Sequence, residues 1–265
     1  MTFIYENYSC LAPGPEVPDG IMLETTDERP VMPAGPAVQG RSVGNSGTPA
    51  GNAGARRRAG RPSAALLDKA GITAAALELI NRKGYDGLTM AGLAKELDVA
   101  PSALYNHVAS KRDVLLLVED HLTSLVDVSD FGSAPWEEAV RSWAWSYRNV
   151  FARHTPLIPV IAVLPVTDAP QTLAMYETVS KGFLDAGFPQ DRVVSSIVAL
   201  ESFIFGSAYD VTAPADIFDS GTMAGSTPHF TAAVRSAANN DRSPADAAFS
   251  LGLEALISGL GALRG

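Results

Sequence analysis

DVAPSALYNHVASKRDVL, residues 98–115, holds a proline, a Leu-Tyr pair, a histidine and a Lys-Arg pair in one short span. Pro101 fits the first turn of a short helix, where its missing N–H has no partner to lose. Ser110, a residue type that caps helices, stands directly before Lys111 and Arg112, so a further helix opens there. Tyr105 and His107 close the first of these helices, and the two cations begin the next. Two readings fit: an amphipathic hairpin with a wet outer face, or a hairpin whose polar rim grips phosphates.

Upstream, Leu66, Leu67, Ala70, Ala74, Leu77 and Ile80 lie mostly three or four apart, an apolar stripe on a longer helix that Gly84 ends. Thr89 caps a second helix over residues 90–97. Helices of about 20, 8 and 7 residues, with a tight turn between the last two, make a helix-turn-helix. Such a motif lays its third helix in the major groove while its neighbours touch the backbone. Thr89, Tyr105, His107, Lys111 and Arg112 then stand at phosphate-contact points, which fix register without reading bases.

The charge distribution agrees. Net charge is −9, but residues 56–113 carry ten Lys+Arg against six acids, +4, while residues 1–55 and 114–265 are −4 and −9. Local charge decides phosphate attraction. Arg56, Arg57, Arg58 and Arg61, in ARRRAGRPS, form an arm before the first helix that can enter an adjacent minor groove.

Residues 1–55 hold seven Pro and eight Gly without helical or alternating apolar pattern, and read as a disordered extension. From residue 113 the pattern is helical almost throughout, with breaks at proline or glycine and no hairpin signal, so the fold class is all-α. The expected division is 1–55, an extension; 56–112, the arginine arm and helix-turn-helix; and 113–265, a larger helical domain. One cysteine, Cys10, excludes an internal disulfide and a Cys-rich metal site. The start MTFIYENYSC lacks a signal-peptide layout, and no unbroken apolar run reaches about 18 residues, so a cytoplasmic protein without membrane contact is expected.

The enzyme class finds no support. There is no P-loop, dinucleotide fingerprint or HExxH, the one GxSxG match, GRSVG at residues 40–44, falls in the Pro- and Gly-rich extension without a strand-to-helix context, and His107, His121, His154 and His229 lack ligand spacing. No cofactor and no metal are expected. In the larger domain the aromatic residues are mostly core, yet a small-molecule cavity needs apolar walls with a few polar groups. Candidate walls are Trp143, Tyr147, Ile161, Tyr176, Phe203 and Phe205, with His154, Glu201 and Asp210 as polar anchors.

LDKAGITAAALELINRKGYDGLTMAGLAKELDVAPSALYNHVASKRDVL, residues 67–115, resembles the DNA-binding domain of the TetR/AcrR family of one-component regulators. That resemblance places Thr89, Tyr105, His107 and Lys111 at phosphates, and Pro101, Ser102 and Ala103 at base edges. It departs at Ala91, where many members carry an arginine that reads guanine; Ser102 and Ala103 also offer little bidentate bonding. Specificity is then expected to lean on the arginine arm and DNA shape. WEEAVRSWAWSYRNVFARHTPLIPVI and YETVSKGFLDAGFPQDRVVSSIVALESFIFGSAYD resemble the ligand-binding half of the tetracycline-repressor branch. Asp210 falls near an acidic residue that helps hold the metal–drug complex there, whereas Ile161 matches its metal-ligating histidine. A largely apolar effector, rather than a tetracycline with magnesium, is expected.

The resemblance implies a homodimer whose interface joins residues 194–208 to the last helix, FSLGLEALISGLGALRG, where Gly252, Gly259 and Gly261 permit close approach. The whole reads as a regulator, most often a repressor in this family, released from a double-stranded DNA operator by a small-molecule effector. The alternative is an architectural protein that binds A·T-rich DNA without an effector.

Overall fold

The computed structural model describes residues 67–214, 216–237 and 242–264. The arginine arm and the extension before it lie outside the described residues, as does Leu66. Ten α-helices and no strand occur among the described residues, so the all-α expectation holds.

The head is built from α1 (Lys69–Lys83), α2 (Met90–Glu96), α3 (Pro101–Tyr105) and the start of α4 (Lys111–Ser124). Asp68 begins α1 by accepting from the Gly71 amide at 2.8 Å. Gly84, at φ 73°, ends it by donating its N–H to the Ile80 carbonyl at 2.7 Å. The face that α1 buries is Ile72, Thr73, Ala76, Leu79 and Ile80. The expected stripe is therefore displaced, since Ala70 and Ala74 are exposed. The cause is the alanine-rich stretch of α1, with Ala70, Ala74, Ala75 and Ala76 spread around the helix, where periodicity barely distinguishes one face from the next.

Thr89 Oγ1 accepts from the Gly92 amide at 3.0 Å and starts α2. Asp98, at φ 52°, then makes the turn into α3; Asp tolerates this left-handed geometry better than most residues. Ser110 and Asp113 form a reciprocal capping box at the start of α4. Inside this arrangement Leu79, Ile80, Leu88, Leu93, Leu104, Val108 and Val114 are buried together.

The body contains α5 (Trp136–Phe151), the single turn α6 (Ile158–Ile161), α7 (Pro170–Asp185), α8 (Gln190–Asp210), α9 (Pro228–Ala237) and α10 (Pro244–Gly261). Helix α4 packs on α1 in the head and on α5, α6 and α7 in the body. Helices α5 and α10 flank α8 on one side, and α7 meets it on another. α7 has no side-chain cap of its own. Instead Asp120, on α4, accepts from the Gln171 and Thr172 amides at 2.7 and 3.0 Å, placing a carboxylate at the positive end of α7.

Helix α8, at 21 residues with a mean hydropathy of 1.3 over its most apolar window, has the length and composition to cross a membrane. It is one wall of the body's core: Val193, Ile197, Leu200 and Ile204 are buried, and Glu201 lies among them. Of the small residues in α10, Gly252 faces Phe203, where an added Cβ would stand 2.5 Å from the ring. Gly252 thus serves packing within this chain, while Gly259 has open space beside it.

Candidate nucleic-acid interface and effector site

The head separates its chemistry by face. Leu104 and Val108 turn inward, while Thr89, Pro101, Ser102, Tyr105, His107 and Arg112 are exposed. Tyr105 ends α3 and His107 lies just beyond it; Ala103 is half-buried. Thr89 spends its oxygen on the cap but keeps its hydroxyl proton available to an acceptor such as a phosphate. Lys111 is more engaged than its sequence suggests. Its Nζ donates to the Tyr85 carbonyl at 3.2 Å and sits 3.8 Å from the centroid of the Tyr85 ring. It therefore holds the start of α4 against the turn after α1, with donors left for an outside anion.

The body gathers some of the expected residues and disperses others. Tyr147 on α5 and Tyr176 on α7 both donate to Oε1 of Glu201 on α8, at 3.1 and 2.8 Å. Trp143 adjoins this group, its ring 5.7 Å from that of Tyr147, and Phe205 completes a wall at 5.5 Å from the same ring. Ile161 is buried in the same core.

Phe203 and Asp210 do not join. At about 100° per residue, Phe205 returns to the face of Glu201, whereas Phe203 and Asp210 turn to the other side of α8. Phe203 stacks on Phe249 at 5.3 Å, and Asp210 is exposed. His154 is half-buried with an unpartnered Nδ1. Burial, then Arg153 and His121, hold its imidazole below the ordinary value.

Two ionisable residues of the interior were absent from the sequence expectations. Glu119, on α4, is 5% exposed, and its Oε2 has no hydrogen-bond partner. Burial first, then the neighbouring Asp120 and Glu201, push its carboxyl up to about 8. Burial also raises Glu201, against the two tyrosine hydrogen bonds that favour its ionised form. Tyr147 and Tyr176 are raised well above their ordinary value by burial and by Glu201.

The second is Arg148 on α5, 1% exposed. Its Nη1 meets Asp246 of α10 at 2.7 Å, and its guanidinium lies 4.7 Å from the Phe249 ring centroid and 5.1 Å from that of Trp145. Both residues carried a legible signal. Glu119 is four after Leu115 and three before Leu122, and Arg148 is four after Ala144 and three before Phe151, so each falls within an apolar stripe.

Two surface cavities lie away from the Glu201 group. One of about 480 Å³ opens between α5 and α10 beside Arg141, Trp145 and Asp246. Another, of about 460 Å³, lies where α1, α4 and α7 meet, beside Thr73, Asp120 and His121. No group of three or more residues suited to a metal ion occurs among the described residues.

Comparison with known proteins agrees with this architecture. Residues 72–118 match the family described as bacterial regulatory proteins, tetR family, and residues 130–264 match the tetracyclin repressor-like C-terminal domain. An HTH-type transcriptional regulator of Saccharopolyspora erythraea is 28% identical over 206 residues, 76% of this chain and 87% of that protein. The class G tetracycline repressor of Vibrio anguillarum is 28% identical over 210 residues, 75% and 95% of the two chains. The Streptomyces coelicolor protein ActR, solved in complex with actinorhodin, superposes with a TM-score of 0.64 at 27% identity, covering 76% of this chain and 98% of that one. With both halves matched in order, this chain belongs to the TetR family of DNA-binding transcriptional regulators.

Proposed function

We propose that the protein is a homodimeric repressor that leaves its operator when a small molecule enters the interior bounded by α4, α5, α7 and α8. The observation that carries the reading is the double membership of α4. Its first residue is tied to the head through Lys111 and Tyr85, and its Glu119 is buried beside the body's tyrosine–Glu201 group. A ligand that parts that group acts on the helix that orients the head, and does so only through its differential affinity for the two forms.

In this reading Thr89, Tyr105, His107 and Lys111 hold phosphates. Pro101, Ser102 and Ala103 approach base edges, and Arg56, Arg57, Arg58 and Arg61 reach the minor groove. Trp143, Tyr147, Ile161, Tyr176, Glu201 and Phe205 surround the effector, with Glu119 added to them. Residues 56–112 act as the DNA-binding domain and 113–265 as the ligand-binding and dimerisation domain, working in the cytoplasm without catalysis.

Dimerisation is supported by exposed apolar residues on the helices expected to form it. Val194 and Val198 on α8 are 60% and 41% exposed, and Leu251 on α10 is 76% exposed. A single head of this size touches only a short stretch of duplex, so two half-sites and a two-fold axis are expected.

The test is a selection of genomic fragments retained by the purified protein, followed by footprinting and light scattering. A protected, two-fold symmetric site and a dimer at micromolar concentration are expected. Retention of no fragment even in dilute buffer overturns the reading. Retention without sequence preference, unmoved by any small molecule, favours the architectural alternative.

A further inference from the structure

The interior around Glu201 is rich in acceptors and poor in charges to match them. Glu201 lies close enough to Glu119 to raise its carboxyl electrostatically, and Tyr147 and Tyr176 already give both their protons to Glu201 Oε1. No cationic side chain of the described residues pairs with either carboxyl. One side chain here is almost wholly buried with unmet acceptor capacity: Glu119, at 5% exposure, whose Oε2 has no partner. Buried polar atoms are nearly always paired, and an unpaired one is costly. Such an atom beside one aromatic-walled group marks where a missing partner belongs.

We propose that the missing partner is the cationic nitrogen of an aromatic effector, a guanidinium or ammonium whose N–H groups engage Glu119 and Glu201 while its ring lies against Trp143, Tyr147 and Phe205. This rests on the effector reading above and deepens it by naming the ligand class. A neutral apolar ligand leaves Glu119 Oε2 unmet. An anion meets Glu201 and, among the described residues, finds no cationic side chain paired with these carboxyls to hold it. A divalent metal prefers more oxygen ligands than these side chains supply, and no suitable cluster of three exists among the described residues. An aromatic cation satisfies the carboxyls by charge-assisted hydrogen bonds and the rings by stacking and cation–π contact.

Proton balance follows. In the empty protein Glu119 keeps its proton until about pH 8. Cation binding then takes the carboxylate form and releases that proton to solvent, so affinity rises with pH and levels off near that value. The groups facing Glu119 are Asp120 on its own helix, Tyr147 on α5, Tyr176 on α7 and Glu201 on α8. Neither tyrosine titrates in this range, so the pH dependence belongs to the carboxyls.

The experiment is calorimetric titration of the full chain with three probes of one shape: 1-naphthylmethylguanidinium, the matching neutral urea, and 1-naphthylacetate. Titrations run at pH 6, 7 and 8, where the guanidinium charge is constant. The guanidinium should bind at least about tenfold more tightly than the urea, the acetate not measurably, and guanidinium affinity should climb with pH and release a proton. Glu119→Gln should abolish the pH dependence, and Glu201→Gln should erase the preference for charge. Equal binding of guanidinium and urea, tighter binding of the acetate, or no binding of any probe overturns the proposal. If either variant fails to fold, the probe series and pH dependence of the unaltered protein decide alone. Operator retardation measured on the same samples separates the two readings: charge-selective binding that leaves the operator complex intact refutes effector release and keeps the cation site.

Discussion

The head and the body place their chemistry on opposite sides of the water line. In the head, Leu79, Leu93, Leu104 and Val114 form a core of apolar side chains, and Tyr105, His107 and Arg112 stand in solvent. In the body, Arg148, Glu119, Glu201 and Tyr147 are withdrawn among aromatic rings. In the function proposed above, the difference follows the partners. A duplex is larger than the head and is met by an outer surface, whereas a small effector must be enclosed to gain enough contact. Exposed polar groups cost the fold little. Enclosed ones must be supported by specific geometry or they destabilise it.

The largest expected effect is on the body. Arg148→Ala empties a buried site against Trp145 and Phe249 and removes the tie to Asp246, and should cost about 3–5 kcal/mol in urea unfolding. A loss below about 1 kcal/mol would erase the contrast between the two halves.

The next effect is one of pH. The folded state holds Glu119 protonated up to about pH 8, whereas the unfolded chain releases that proton near the ordinary glutamate value. The folded state therefore binds more protons across this window, and stability falls as pH rises, by up to about 1.4 kcal/mol per unit. His154, held low, opposes this slope only at the acid end, where the unfolded imidazole takes a proton first. Urea midpoints from pH 5 to 8 should decline, and Glu119→Gln should flatten the decline.

A smaller effect is expected at the junction. Ser110→Ala removes the capping partner of the Asp113 amide and should cost about 1 kcal/mol. Smallest for folding, yet largest for binding per unit of stability, is the head's outer face. Arg112→Ala should leave the unfolding midpoint within about 0.5 kcal/mol. It should make the slope of log affinity against log salt shallower by roughly one for each phosphate that Arg112 neutralises. Destabilisation by Arg112→Ala comparable to that by Arg148→Ala would break the comparison.

Much of this is legible in the sequence. Proline and glycine punctuation marks α5, α7, α8 and α10 closely, because those residues stop helices for local reasons. The helix-turn-helix is readable because its turns and caps are also local: Thr89, Ser110 and Gly84 act within a few residues of themselves. Tyr147, Tyr176, Glu201 and Phe205 are expected near a ligand and lie together. Phe203 and Asp210 are misplaced because a choice of aromatic and acidic residues by type ignores helical phase. Glu119 and Arg148 escape notice for a related reason: charged residues are ordinarily counted as wet, though their spacing puts both inside apolar stripes.

Two anchors on one helix fix how movement must travel. Lys111 clasps Tyr85, and nine residues later Asp120 clasps the opening amides of α7. Roughly 13 Å of helix lies between these fastenings. If both hold, the head cannot slide along the body, and a shift of α7 is transmitted as a swing. In the homodimer proposed above, the two-fold axis would pair the swings, so the gap between recognition helices would change by twice what either subunit contributes.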